Sequence, residues 1–205
     1  MCRDIHADVQ EVTLMEDLER YRTRACALGA ADAVVIAASQ IVVDERVQGK
    51  CLIPRCENYG HSAHCPPTLP PLDEVRRIIA RYHWGVLLKI EVPTDVSVKK
   101  DIIWRTQELD IVCNLESEAY YDGYYLAMGI SALPCKSTLC PTVACAALTP
   151  GGHCPYPFRA RPSLQGLGID VIRLVNGVGW TLYPVGTKAT ADTHPISLIG
   201  LVLIH

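Results

Sequence analysis

No stretch of this chain is apolar for long enough to cross a bilayer. The longest such run, ISLIGLVLI at 196–204, falls well short of the roughly 20 residues that a membrane helix needs. The opening segment MCRDIHADVQEV lacks the apolar core of a secretory leader, so an export signal is not expected. Long runs of one charge are missing too: 19 Lys and Arg stand against 22 Asp and Glu, a net charge of −3. Charge therefore implies no nucleic-acid partner. No linker-like break in composition appears, which predicts a single domain over residues 1–205. The GxG within NGVGW (176–180) lacks the rest of a dinucleotide fingerprint and reads as a turn. These absences leave a soluble, cytoplasmic, globular chain, with 49% apolar and 20% charged residues.

Cysteine is not scarce: there are ten. In a reducing cytosol disulfides are rare, and clustered cysteines more often hold metal or carry out redox chemistry. Cys51, Cys56 and Cys65 are spaced C-x4-C-x8-C, and Cys140, Cys145 and Cys154 repeat that spacing. The agreement extends outward, with His64-Cys65-Pro66 matching His153-Cys154-Pro155. Two metal loops are predicted, at 51–67 and 135–157. Neither contains the C-x2-C knuckle common in structural zinc sites. Widely spaced thiols on an irregular loop suit the larger iron–sulfur cube, and Cys-Pro also ends ligand runs in bacterial ferredoxins. The ferredoxin gaps themselves are different. A 4Fe–4S cluster is the favoured cofactor, one or two per chain, with zinc as the alternative.

Counting ligands separates the loops. Cys135 completes C-x4-C-x4-C-x8-C in the second loop, a full set for one 4Fe–4S cluster. The first loop has three cysteines. Its fourth ligand can be Cys113, Cys26, Cys2, His61 or His64, a residue of a second copy in a homodimer, or nothing. An iron without a protein ligand can take a substrate. Exchange of the last cysteine between loops is equally allowed. Cys113 and Cys26 also fit as small hydrophobes of helix faces, and His64 and His153 as tuners of a neighbouring thiolate. Arg159 and Arg161 precede a helix expected to start at Pro162, a combination suited to a substrate carboxylate or phosphate, or to the negative charge of a cluster. Arg55, between two cysteines of the first loop, can serve in the same way. Ordinary salt bridges are the competing reading of these arginines.

Hydrophobic periodicity supplies the frame. A helix is predicted over 13–29, with a Thr13/Glu16 capping box, a face of Leu14, Leu18, Tyr21, Ala25 and Leu28, and a stop at Gly29. Residues 32–47 read as β-rich, LDEVRRIIARY as a proline-started helix, and WGVLLKIEV (84–92) as a strand. A long helix is expected from Val98 to Met128, with Ile102, Leu109, Cys113, Glu116, Tyr120 and Ala127 on one stripe. IDVIRLV is expected to be extended and SLIGLVLI to close the chain as a buried strand. The alternation predicts an α/β or α+β layered domain, with a small mixed sheet, flanking helices and both cysteine loops at one end.

The order GAADAVVIAASQIVVDERVQGKC, then a loop ending in CPP, then GYYLAMG, then ARPSLQGLGIDV is similar to the uncharacterised predicted metal-binding proteins grouped as domain of unknown function 2284. The similarity runs from about residue 29 to the last strand. The tight cysteine spacing usual at the start of that family's second cluster is widened here to four residues between Cys135, Cys140 and Cys145. The resemblance implies metal binding, and an iron–sulfur protein of anaerobic prokaryotes. Three functions remain open: electron transfer to a redox partner protein, a redox or maturation enzyme using an open iron and a small anionic substrate, and a structural zinc-binding adaptor without turnover.

Overall fold

The fold is described from a computed structural model covering residues 10–93, 98–182 and 196–205. Its frame is a four-stranded sheet in the order β1-β2-β4-β3, formed by β1 (Asp32–Ala37), β2 (Trp84–Val92), β3 (Met128–Ile130) and β4 (Ile196–Leu203). All three pairings are antiparallel, with Val35 opposite Val86, Leu88 opposite Gly200 and Gly129 opposite Val202. Of the two classes expected, this is α+β, and the mixed sheet narrows to an antiparallel one. β2 and β4 lie in the centre, which explains why both are almost continuously apolar: each must bury two faces rather than one.

Successive strand residues point to opposite faces, and the two cores follow that alternation. Val86, Leu88, Ile90 and Val202 pack with α1 (Glu11–Ala27) and α4 (Val98–Tyr121). Leu87, Ile199, Leu201 and Leu203 pack on the other face, against α3 (Leu72–Ile79), α6 (Val171–Gly177) and the 164–169 segment. Each fully buried Leu or Ile contributes about 1.5–3 kcal/mol through removal from water, so a slip of one residue in either central strand would exchange the two cores.

Several local expectations change. Gln10, not Thr13, occupies the N-cap of α1 and makes no side-chain cap bond, so the capping box does not form. The segment after β1 contains a helix, α2 (Glu45–Leu52), started by the Asp44 carboxylate accepting from Arg46 N. The long helix ends at Tyr121 and leaves Met128 to β3. Its buried face is Glu108, Leu109, Ile111, Val112, Leu115 and Ala119, while Ile102 and Tyr120 are exposed. Of the expected stripe, Leu109 is on the buried face, whereas Cys113, Glu116 and Tyr120 each lie one residue past Val112, Leu115 and Ala119. No helix starts at Pro162. The chain instead turns through 163–168, and α6 begins at Val171, where Asp170 accepts from Arg173 N. The extended reading of IDVIRLV is thereby overturned by an Asp cap followed by helical spacing of Val171, Leu174 and Val175. No helix among the described residues is long and apolar enough to cross a membrane.

Candidate metal centre

The two cysteine loops meet. The first runs out of α2, which carries Cys51 in its last turn, and continues irregularly through Cys56 to Cys65. The second follows β3, and a single helical turn, α5 (Cys135–Leu139), separates Cys135 from Cys140. That spacing corresponds to about 7–8 Å of helical rise along the backbone. The 3-10 turn Ala146–Leu148 is entered from Cys145, and Cys154 follows the bend at Gly151 and Gly152. Asn58 Nδ2 donates to Ser137 Oγ at 2.9 Å, tying one loop to the other.

Cys135, Cys140, Cys145 and Cys154 line one cavity of about 140 Å³, with Leu139, Val143, Ala146, Ala147 and Pro155 among its other walls. A hole of about 10–15 Å³ accepts one water, so this one is far larger than a lone ion requires. Among the described residues, no three or more His, Cys, Asp or Glu side chains gather as the ligands of a single ion would. The four cysteines border a common cavity without gathering at one point. Tyr156 N donates to Cys154 Sγ at 3.3 Å.

Cys51, Cys56 and Cys65 make a second group beside it. Burial pushes the Cys65 thiol up to about 11, the Ser62 hydroxyl offsets part of that rise, and Cys56, Cys51 and Cys145 of the other loop add to it. Burial likewise pushes Cys135 up to about 11, again offset by Ser62, with Cys154, Cys145 and Cys140 raising it further. Ser62 is thus the contact common to a cysteine of each loop, and it is fully buried. Its oxygen also accepts from His64 N at 3.2 Å. His64 itself reaches across, with Nδ1 at 3.3 Å from Cys135 Sγ. Burial, assisted by the Arg161 cation, lowers the His64 pKa and favours the neutral ring.

The other candidates lie elsewhere. Cys26 is exposed on α1. Cys113 Sγ donates to the Arg159 carbonyl at 3.7 Å, and burial pushes its thiol up to about 12. Cys2 lies outside the described residues. His61 and His153 are exposed. Arg55 lies over the Tyr59 ring, 5.2 Å from its centroid. Arg159 pairs with Asp110 at 2.5 Å, and Arg161 Nε donates to Glu116 Oε2 at 2.6 Å. Both guanidiniums pair with α4 carboxylates, and the missing helix at Pro162 removes the amide N–H groups that were to accompany them. Spacing did not single out two further residues of these loops: Ser62, whose place between Cys56 and Cys65 was its one visible signal, and Lys136, which donates to the carbonyls of Cys140 and Pro141.

Neither a curated protein nor a solved structure gives a significant match. The family model described as predicted metal-binding protein, DUF2284, matches residues 34–204, a span that contains all seven loop cysteines. By that match over most of its length, the chain belongs to the DUF2284 family of predicted metal-binding proteins.

Proposed function

We propose that this is an iron–sulfur protein with a redox function, in which Cys135, Cys140, Cys145 and Cys154 hold a 4Fe–4S cluster. The observation that carries the reading is the cavity itself: four thiols around a void larger than one ion, walled mainly by small and apolar side chains. Its donor set fits the group, since four cysteine thiolates are the usual ligands of a cubane. When bound, such a cluster supplies one-electron oxidation and reduction.

The chain's own residues then have definable roles. The backbone N–H of Tyr156 and the ring of His64 stand beside Cys154 and Cys135, where donors to a ligating sulfur stabilise its more negative state. Ser62 has one hydroxyl proton for two neighbouring sulfurs, so it favours whichever of Cys65 and Cys135 carries more charge. Cys51, Cys56 and Cys65 offer three thiolates to a second metal group and leave a position for a substrate. Large apolar side chains are exposed in the same two loops, Leu52, Ile53 and Val143, with Phe158 87% exposed just beyond. That supports a redox partner protein docking at this end.

Iron, zinc and acid-labile sulfide should be measured on anaerobically purified protein, with an electron paramagnetic resonance spectrum after dithionite reduction. About four irons and four sulfides per chain fit one cubane, and about eight fit two. Zinc without sulfide would overturn the proposal and leave a structural adaptor.

A further inference from the structure

A residue of the first loop reaches into the cavity of the second. Ser62 lines the same space as Cys135, Cys140, Cys145 and Cys154 and is fully buried there. Three residues later comes Cys65, whose backbone N–H donates to the Ser62 carbonyl at 3.2 Å. Gly60 N donates to the Pro66 carbonyl at 2.8 Å, which closes residues 60–66 into a ring holding Ser62, His64 and Cys65 together. His64 crosses to the other loop, with Nδ1 3.3 Å from Cys135 Sγ, and a peptide bond joins it to Cys65. Of the seven loop cysteines, Cys65 and Cys135 are the two that are buried.

Two links therefore connect a cysteine of one group to a cysteine of the other. One is the Ser62 hydroxyl. Burial raises the Cys65 thiol and the Ser62 hydroxyl holds it down in part, and the same two causes act in that order on Cys135. Cys65 also feels Cys56 and Cys51 of its own loop and Cys145 of the other. A serine hydroxyl has one proton, so it serves one sulfur at a time, and two negatively charged sulfurs must compete for it. The other link is the His64 ring. From Cys135 to Cys65 it leaves a single non-covalent step, the contact between Nδ1 and Sγ, and the rest of the path is covalent. Few through-space gaps favour fast electron transfer.

We propose that the two cysteine groups form a coupled pair of electron stores: Cys51, Cys56 and Cys65 hold an iron group of their own, and His64 and Ser62 join it to the cluster on Cys135, Cys140, Cys145 and Cys154. A one-electron donor protein reduces the cluster. The electron then passes along His64, so the cluster is oxidised again and the first-loop group is reduced. No bond to protein breaks, and the one proton displaced is that of the Ser62 hydroxyl, which turns from Cys135 to Cys65. A second electron from the same donor refills the cluster. Two electrons are then stored beside the open position of the first loop, the number that most substrate reductions need. The inference deepens the iron–sulfur reading and rests on it.

The test is electron paramagnetic resonance of anaerobically purified protein, reduced stepwise with dithionite at controlled potential, with iron and sulfide assayed on the same sample. The natural protein should hold more than about four irons per chain and reduce in two steps. After the second step its lines should be split and broadened, because each paramagnetic centre feels its neighbour. Cys56→Ala should lower iron to about four per chain and restore a single unsplit signal. Ser62→Ala should keep the iron and narrow the gap between the two steps by about tenfold in electron affinity, or about 59 mV. The first electron loses its hydrogen bond in that variant, whereas the second never had it. A spectrum that is the sum of two isolated centres, or a gap unchanged in Ser62→Ala, would overturn the inference. So would about four irons in the natural protein, or loss of all iron in Cys56→Ala, which would mean one shared cluster. Each of those results leaves an iron–sulfur protein standing, whereas absence of iron and sulfide overturns that reading itself.

Discussion

Replacing Glu108 by Gln should flatten the pH dependence of stability and strengthen the fold above neutrality. Glu108 lies on the inner face of α4, 1% exposed. Its carboxyl accepts from Ala132 N at 3.0 Å and is 2.5 Å from the Ser131 hydroxyl. Burial pushes its pKa up to about 8, with the Ser131 and Ala132 bonds offsetting part of the rise. The same side chain in an unfolded chain titrates at about 4.3. Between those values the folded state keeps a proton that the unfolded state has released. Stability from this group is therefore fully present below about pH 4.3, falls as pH rises, and is lost by about pH 8. A gap of about 3.7 units at about 1.36 kcal/mol each sets a ceiling of about 5 kcal/mol, of which about 2.5 kcal/mol falls between about pH 5 and about pH 7. Glutamine keeps the shape, accepts from Ala132, donates to Ser131 and has no proton to lose. Urea unfolding of both proteins in the same metal-loading state, repeated across this pH range, should show the variant's advantage growing by about 2.5 kcal/mol between about pH 5 and about pH 7. Parallel profiles would refute the reasoning. The outcome matters for the site because Ser131 and Ala132 form the strap that leads through Pro134 into Cys135.

Cys140→Ser and Cys154→Ser should each lose bound iron and sulfide, whereas Cys26→Ser, on the exposed side of α1, should retain both in the same assay. Ser62→Ala removes the hydroxyl shared by Cys65 and Cys135. A hydrogen bond worth about 1.4 kcal/mol corresponds to about 60 mV in a one-electron couple, so redox titration should find the potential lowered by that order, with metal content intact. Gly200→Ala would place a methyl group 2.6 Å from Glu108 Oε1 and 2.6 Å from Val112 Cγ2. Thermal or urea unfolding should show a loss of about 1–3 kcal/mol from overpacking, and an unchanged midpoint would contradict the close approach of α4 to β4.

Local pattern alone determined much of the frame. WGVLLKIEV and SLIGLVLI could be read as strands because a chain buried on two faces must be apolar nearly throughout. Leu14, Leu18, Tyr21 and Ala25 marked the buried face of α1 because helical periodicity records burial directly. The repeated C-x4-C-x8-C spacing named the loop thiols, since residues close along the chain stay close in space. Shorter signals were outweighed: Asp44 and Asp170 start helices where β-branched residues suggested extended chain, because a cap and one packed face suffice for a short helix.

Tertiary structure decided what meets what. Arg159 and Arg161 had open futures in the sequence, as anion ligands or as salt bridges. Asp110 and Glu116, more than 40 residues away, took them because α4 packs beside the returning chain. Nothing in the spacing could place Ser62 against both Cys65 and Cys135 or His64 against Cys135. Such contacts depend on how separate segments are brought together by the sheet. Sequence encodes the chemistry each residue can offer and the local backbone that carries it. Which partner receives that chemistry is settled only when distant elements compete for the same space and the same hydrogen bonds.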